Sequence, residues 1–327
     1  MGTINKKEKL EPISEIHLGR KTANNLVDDY FAAGGFSSRD IATATDILEK
    51  MLKDVKCTKI LSLPSSIVAT GQRGLIADAL KNKWFDAVIA TTGLPSHDLI
   101  RVWGAHYYYG DFLMDEHNLG KNGIYRLGNI LIKSENYGVF LEDRMKPILE
   151  KLYNVGKKVF APYEIIWEFG REIAEDKKIT PQLKEESILY WSWKNKIPIF
   201  VPGITDGAFG SQLFFFSQTH FGFEISVFKD EEKLYKLVFD AKRLGALIIG
   251  GGISKHHTIW WAQFNKGLKY AVYITSAPEQ DGSLSGARTR EAISWGKISQ
   301  NARHITVQSD ATIVLPIIFN AVWERQN

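Results

Sequence analysis

Six short runs of almost unbroken apolar residues recur along this 327-residue chain, at 58–63 (TKILSL), 86–90 (DAVIA), 198–201 (PIFV), 246–249 (ALII), 270–274 (YAVYI) and 304–307 (HITV). Runs this short and this continuously apolar predict strands buried on both faces, as in a parallel sheet. Helical spacing is read at 21–33, 39–54, 73–83, 138–154, 182–195, 230–243, 256–265 and 311–324, with Ser38 as the expected N-cap of the second. Such alternation predicts an α/β fold: a doubly wound, mostly parallel, Rossmann-like sheet with helices on both faces. Residues 105–135, rich in Gly, Tyr and Asn, read as a partly irregular insertion. With no internal repeat or flexible linker, the expected organisation is a short N-terminal helical extension, 1–20, and a single domain, 21–327.

Composition excludes several classes. No apolar run approaches the roughly 20 residues needed to cross a bilayer. The first fifteen residues, MGTINKKEKLEPISE, have no apolar core of a secretory signal and no Ser or Thr at position 6 for myristoylation. The single cysteine, Cys57, rules out an intrachain disulfide and suits a reducing compartment, so a cytoplasmic location is expected. A net charge of +4 is small. Its short basic runs, Lys6, Lys7 and Lys9, then Lys177 and Lys178, read as solvated surface. Neither a nucleic acid nor a membrane is expected as a partner.

Ligands of open α/β sheets bind beyond the carboxyl ends of the strands. There this chain places Thr91, Thr92 and Gly93, then Pro202, Gly203, Thr205 and Asp206, then Gly250, Gly251 and Gly252, then Thr275 and Ser276. The convergence points to a nucleotide-like ligand. Glycines let a backbone approach phosphate closely, although three in a row also make a plain tight turn. Lys255-His256-His257 opens the next helix, and either histidine could exchange a proton near neutral pH or simply belong to a helix terminus. Adjacent helical histidines point about 100° apart and no third ligand is suitably spaced, so no metal is expected. Asp206 and Asp310 each read as a helix cap or as a ligand contact.

DGSLSGARTREAISWGK, residues 281–297, holds the most reactive candidate, Lys297. A lysine attacks a carbonyl or imine only as the free amine, and an apolar wall such as Trp295 disfavours the ammonium. Glu291 offers a fixed negative charge to a cationic amine. The competing reading is an amphipathic helix with a surface lysine.

IPIFVPGITDG, LIIGGGISKHH, YAVYIT, DGSLSGAR and EAISWGK occur in that order, preceded by GDF (Gly110 to Phe112), KNGIYRLGNILI and ENYGVFLEDRMKPIL. Together, over roughly residues 20–325, the chain resembles the deoxyhypusine synthase family. The resemblance implies NAD-dependent transfer of the 4-aminobutyl group of spermidine to a lysine of the hypusine-bearing translation factor, through an imine on Lys297. It gives His256 the general-base position. Glu291, Trp295, Gly282, Ser283, Leu284 and Ser211 fall at substrate positions. Ser65, Ser66, Thr91, Thr92, Gly93 and Asp98 fall at cofactor positions, as do Asp206, Gly250, Gly251, Gly252, Ser276, Ala277, Asp281, Asp310 and Ala311. A homotetramer with sites shared between paired subunits is implied, as is an N-terminal extension able to cover a neighbour's site.

The chain departs from the family pattern in places. Eukaryotic members carry aspartates where this chain has Ser211 and Leu284, which suggests an archaeal-type branch. Pro64 and Ser66 stand where Thr and Asn are expected, and His97 stands where a ribose-binding glutamate is usual. Homospermidine synthase, with putrescine as acceptor, shares every motif quoted. An NAD- or polyamine-binding protein without efficient transfer is the reading from outside enzymology.

Overall fold

The computed structural model describes residues 12–327. All six apolar runs lie in one sheet: β1 (Cys57–Leu63), β2 (Ala87–Ala90), β3 (Ile199–Phe200), β4 (Arg243–Ile249), β5 (Leu268–Thr275) and β6 (Ile298–Gln308). The spatial order is β6-β5-β4-β1-β2-β3, and every neighbouring pair is parallel.

Register explains the unbroken apolar runs. Leu61 sits beside Val88 and Leu247, and Leu247 beside Val272. These four side chains enter the core on one face of the sheet, whereas Ile60, Ala87, Ala246 and Ala271 enter the core on the other. Successive residues of a strand serve opposite faces, so a sheet covered twice needs an apolar residue at every position. Burying a Val, Leu or Ile fully contributes about 1.5–3 kcal/mol, so either face alone is a large stabilising term. Helices Phe36–Lys53, Pro162–Glu175 and Ala311–Gln326 contribute to the first core, and Val227–Phe239 and Ile253–Ala262 to the second.

The chain travels outward from β1 through β2 to β3, then returns to lay β4 against the other side of β1 and continues outward through β5 and β6. The direction of winding therefore reverses between β1 and β4. Loops leaving the carboxyl ends of those two strands diverge and open a crevice, the usual place for a dinucleotide in this strand order.

Several expectations are corrected. Helix Phe36–Lys53 is preceded by Gly35 as N-cap, and the Ser38 hydroxyl donates to the Gly35 carbonyl instead of capping. The segment expected as one helix over 182–195 is two, Pro181–Glu185 and Ile188–Asn195, because the Ser187 hydroxyl accepts from the Tyr190 amide and starts the second. Helix Pro162–Glu175 was not expected. Pro162 sits at its first position, where a missing N–H costs nothing. A Cβ at Gly170 would collide with the Leu189 carbonyl, so glycine lets this helix approach Ile188–Asn195 closely. The insertion is more ordered than its composition suggests: Tyr108–Tyr109, Ile124–Leu127 and Ile130–Lys133 form an antiparallel three-stranded sheet. Of the expected helical extension, residues 12–22 contain no helix, the first helix beginning at Ala23, and residues 1–11 lie outside the described residues. Among the described residues no helix is long and apolar enough to cross a membrane.

Helix Val227–Phe239 carries a buried acid, Asp230. Its Oδ1 accepts from the Tyr163 amide at 3.0 Å, its Oδ2 has no partner, and burial pushes the carboxyl up to about 7. The folded protein thus holds a proton that the unfolded chain releases near its ordinary value of 3.8. Because the native state binds more protons, this group's contribution to stability falls as pH rises from about 4 to about 7. Asp230→Asn is expected to remove that slope and to melt above wild type at pH 8. Melting curves at pH 5 and pH 8 check this, and parallel curves for the two proteins would refute it.

Candidate active site

The crevice over the β1/β4 switch is a cleft of about 510 Å³. Pro64 and Ser66 reach it after β1, Gly250 and Gly251 after β4, Ser276 and Ala277 after β5, and Asp310 and Ala311 after β6. Asp281, Ser283 and Ser285 line it from the following loop. Two of these positions require glycine. Gly250 has φ +69°, which side chains rarely adopt. A Cβ at Gly251 would collide with Ser285. The wall that results is mostly small side chains and backbone, with two carboxylates. Asp281 accepts from the Ser283 amide at 2.7 Å and from its hydroxyl at 3.0 Å. Asp310 is both cap and lining residue: it accepts from the Thr312 amide at 2.7 Å and starts helix Ala311–Gln326. The donor and acceptor set suits a dinucleotide, with bare backbone for pyrophosphate and carboxylates for ribose hydroxyls.

A second cluster forms around Lys297. Gly296, at φ +67°, ends the short helix Glu291–Ser294 and turns the chain inward toward β6. The Lys297 side chain is consequently only 8% exposed. Its Nζ lies 5.0 Å from the centre of the Trp295 ring and 5.9 Å from that of Trp260. Trp260 stands one helical turn after His256, whose ring stacks on it with centroids 5.8 Å apart. Lysine and histidine thus both stand against the ring of Trp260. Desolvation, then the positive charges of Lys297 and His257, hold the His256 imidazole below its ordinary value, so it is a neutral proton acceptor at pH 7. His257 turns away and places Nε2 3.1 Å from Glu231, which also accepts from the Trp261 indole at 2.8 Å. Glu291 is exposed at the first position of its helix.

A third group sits beside the cleft but outside its lining. The Ser65 amide donates to the Thr91 hydroxyl at 2.9 Å, and the Thr92 hydroxyl donates to the Gly203 carbonyl at 2.5 Å. Gly93 lies so close to Ser65 that a Cβ would collide with it. Asp206 is exposed in the turn before helix Ala208–Thr219, and the Ser211 hydroxyl returns to the Gly207 carbonyl at 3.1 Å. Gly252 precedes helix Ile253–Ala262 and Gly282 follows a short turn, with φ +77° and +73°. The single site expected from sequence is therefore three neighbouring groups in one chain, and Lys297 does not line the cleft.

Asp98 leaves the cofactor set. It is completely buried, and its oxygens accept from Arg73 Nε at 2.7 Å, the Ser187 hydroxyl at 2.7 Å and the amides of Ile188 and Leu189. The carboxylate is fully used by Arg73 and by the start of helix Ile188–Asn195. His97 is also internal, bonded through Nδ1 to the Tyr107 hydroxyl at 2.7 Å, and burial lowers its pKa to about 4. Leu284 packs its half-buried side chain on the second core. Trp260 was missed by sequence reasoning, although its spacing of four from His256 was a usable signal.

The sequence model described as "DS: Deoxyhypusine synthase" matches residues 25–322. A curated protein from Thermoplasma volcanium named "Probable deoxyhypusine synthase" is 45% identical over 317 residues, covering 96% of this chain and 98% of that protein. One of the same name from Picrophilus torridus is 44% identical over 309 residues, covering 94% and 96%. A crystal structure from Entamoeba histolytica under the deoxyhypusine synthase name aligns with a TM-score of 0.62 at 19% identity, covering 92% of each chain, a likeness of fold.

Proposed function

The chain belongs to the deoxyhypusine synthase family and is an enzyme of that type, and from that premise we propose that it moves the 4-aminobutyl group of spermidine to a lysine of the hypusine-bearing translation factor, with NAD as cofactor. The observation that carries this reading is that Lys297 and His256 both stand against the ring of Trp260, near a glycine-walled cleft at the sheet's switch point. Backbone at Gly250 and Gly251 would hold the pyrophosphate, and Asp281 and Asp310 would accept from ribose hydroxyls. NAD supplies a two-electron acceptor that later returns the same electrons.

His256, neutral at pH 7, takes the proton of the secondary amine as that amine becomes an imine. Lys297 Nζ then bonds to the imine carbon. The carbon's bond to the propylamine nitrogen breaks, and 1,3-diaminopropane leaves with a proton. The butylamine stays as an imine on Lys297. A lysine of the protein acceptor displaces Lys297, and reduction of the product imine restores the oxidation state, so the reaction has no net redox change. Glu291 and the ring faces of Trp295 and Trp260 receive the cationic chain. Trp295 and Trp260 are 66% and 45% exposed in the single chain, which suits a site closed by a second copy in a homotetramer.

Incubation with NAD, labelled spermidine and either the translation factor or putrescine tests the reading. Label is expected in the translation factor. Label in putrescine alone would make the enzyme a homospermidine synthase, and no label in either would leave a binding protein. Leu284→Asp is expected not to tighten spermidine, because Leu284 packs on the core and a charge there would lose apolar burial. Calorimetric titration of spermidine with NAD present measures this, and a clear gain in affinity would place Leu284 in the polyamine path.

A further inference from the structure

Lys255 is almost wholly buried, at 1% exposure, and neither the transfer chemistry nor the cleft wall uses it. Its Nζ donates to the Leu284 carbonyl and to the Ala287 carbonyl, both at 2.7 Å. The ammonium also lies 4.4 Å from the centre of the Tyr273 ring. Burial pulls its pKa down to about 8, against the field of Glu291 and with that of Arg288. Burying an ammonium is costly, and an apolar side chain could fill the same space more cheaply. What the ammonium adds is a fixed geometry for the two carbonyls it holds.

Those carbonyls belong to the loop that joins the two halves of the site. At one end the loop lines the cleft with Asp281, Ser283 and Ser285, Ser285 pressing on Gly251. At its other end it runs into Glu291 and on to Lys297. Its outer side is tied to β6 by the Thr289 amide on the Thr306 hydroxyl at 3.1 Å and by Arg288 on Gln308 at 2.8 Å. Beneath its centre the side-chain bonds come from Lys255. We propose that Lys255 is a positioning residue: it clamps the loop of residues 282–287 and so sets the cleft and the Glu291–Lys297 arm in register with each other. The kinetic part of this proposal rests on the reaction proposed above; the structural part does not.

Lys255→Met keeps the length of the side chain and removes its donors, and Lys255→Gln retains an amide donor on a shorter stem. Hydrogen exchange on the ligand-free proteins reads the clamp directly. In Lys255→Met the amides of 282–287 should exchange at least about tenfold faster while those of β4 and β5 are unchanged. KM for NAD and for spermidine should rise by about tenfold, with kcat within about threefold of wild type. Lys255→Gln should recover part of both. Wild-type exchange in the loop of Lys255→Met overturns the proposal. So does acceleration spread evenly over the sheet, or failure of both variants to fold, since either makes Lys255 a general core residue. A fall in kcat with the loop still protected also overturns it, by placing Lys255 in the chemistry. Loop exchange that rises in a protein without transferase activity would support the clamp while sinking the reaction.

Discussion

Lys297→Arg is expected to abolish aminobutyl transfer to protein. A guanidinium stays protonated at any accessible pH and has no free amine with which to form an imine. The cleft should survive the change, because Lys297 does not line it. Loss of transfer with cofactor binding intact is therefore the expected pattern, separable by calorimetry from a folding defect. Borohydride added to wild type with NAD and labelled spermidine should trap label at Lys297 alone. Among the described residues the other buried lysine, Lys255, is committed to the Leu284 and Ala287 carbonyls, whereas the Lys297 side chain is set against the rings of Trp295 and Trp260. Label on a different lysine, or full activity in Lys297→Arg, would end the assignment of the nucleophile.

His256→Ala should slow amine oxidation by about 10²–10⁴-fold, the range for loss of an acid–base group, and largely spare NAD binding. The wild-type rate should also have a pH signature. Because the imidazole is held below its ordinary value, it stays a competent base through neutral pH, and the rate should fall only on acidification through that lowered value. The acid limb is expected to be missing from the residual activity of His256→Ala. A structural histidine would behave otherwise: the stack on Trp260 would be lost, the melting temperature would drop, and turnover per folded molecule would stay near normal. Measuring the pH–rate profile and the melting curve on the same samples separates these results.

Local pattern carried much of the fold. The four central runs, 58–63, 86–90, 246–249 and 270–274, are strands nearly where they were read, because burial on both faces leaves an unbroken apolar signature in the residues themselves. At the edge the signal fades: β6 spans Ile298–Gln308, but only 304–307 was legible, since much of this strand is partly exposed and polar. The glycine turn after β4 and the order of motifs around Lys297 were likewise present in the chain alone, as was the family they belong to.

Asp98 and Leu284 show the limit. The tripeptide around Asp98 does not reveal that Arg73 and Ser187, 25 and 89 positions away, would consume its carboxylate. Nor does a leucine in an aspartate's usual place reveal whether its side chain faces a polyamine or a core. The sequence by itself determined the strands, their burial on two faces, the glycines at the carboxyl edge and the motifs that carry Lys297 and His256, because each follows from residues close together in the chain. Only the tertiary structure decided the strand order that opens the cleft between β1 and β4, the Trp260 ring against which Lys297 and His256 both stand, and the Lys255 clamp beneath the loop between them. Those contacts join residues whose separation in the chain bears no relation to their distance in space, so no local period or propensity encodes them.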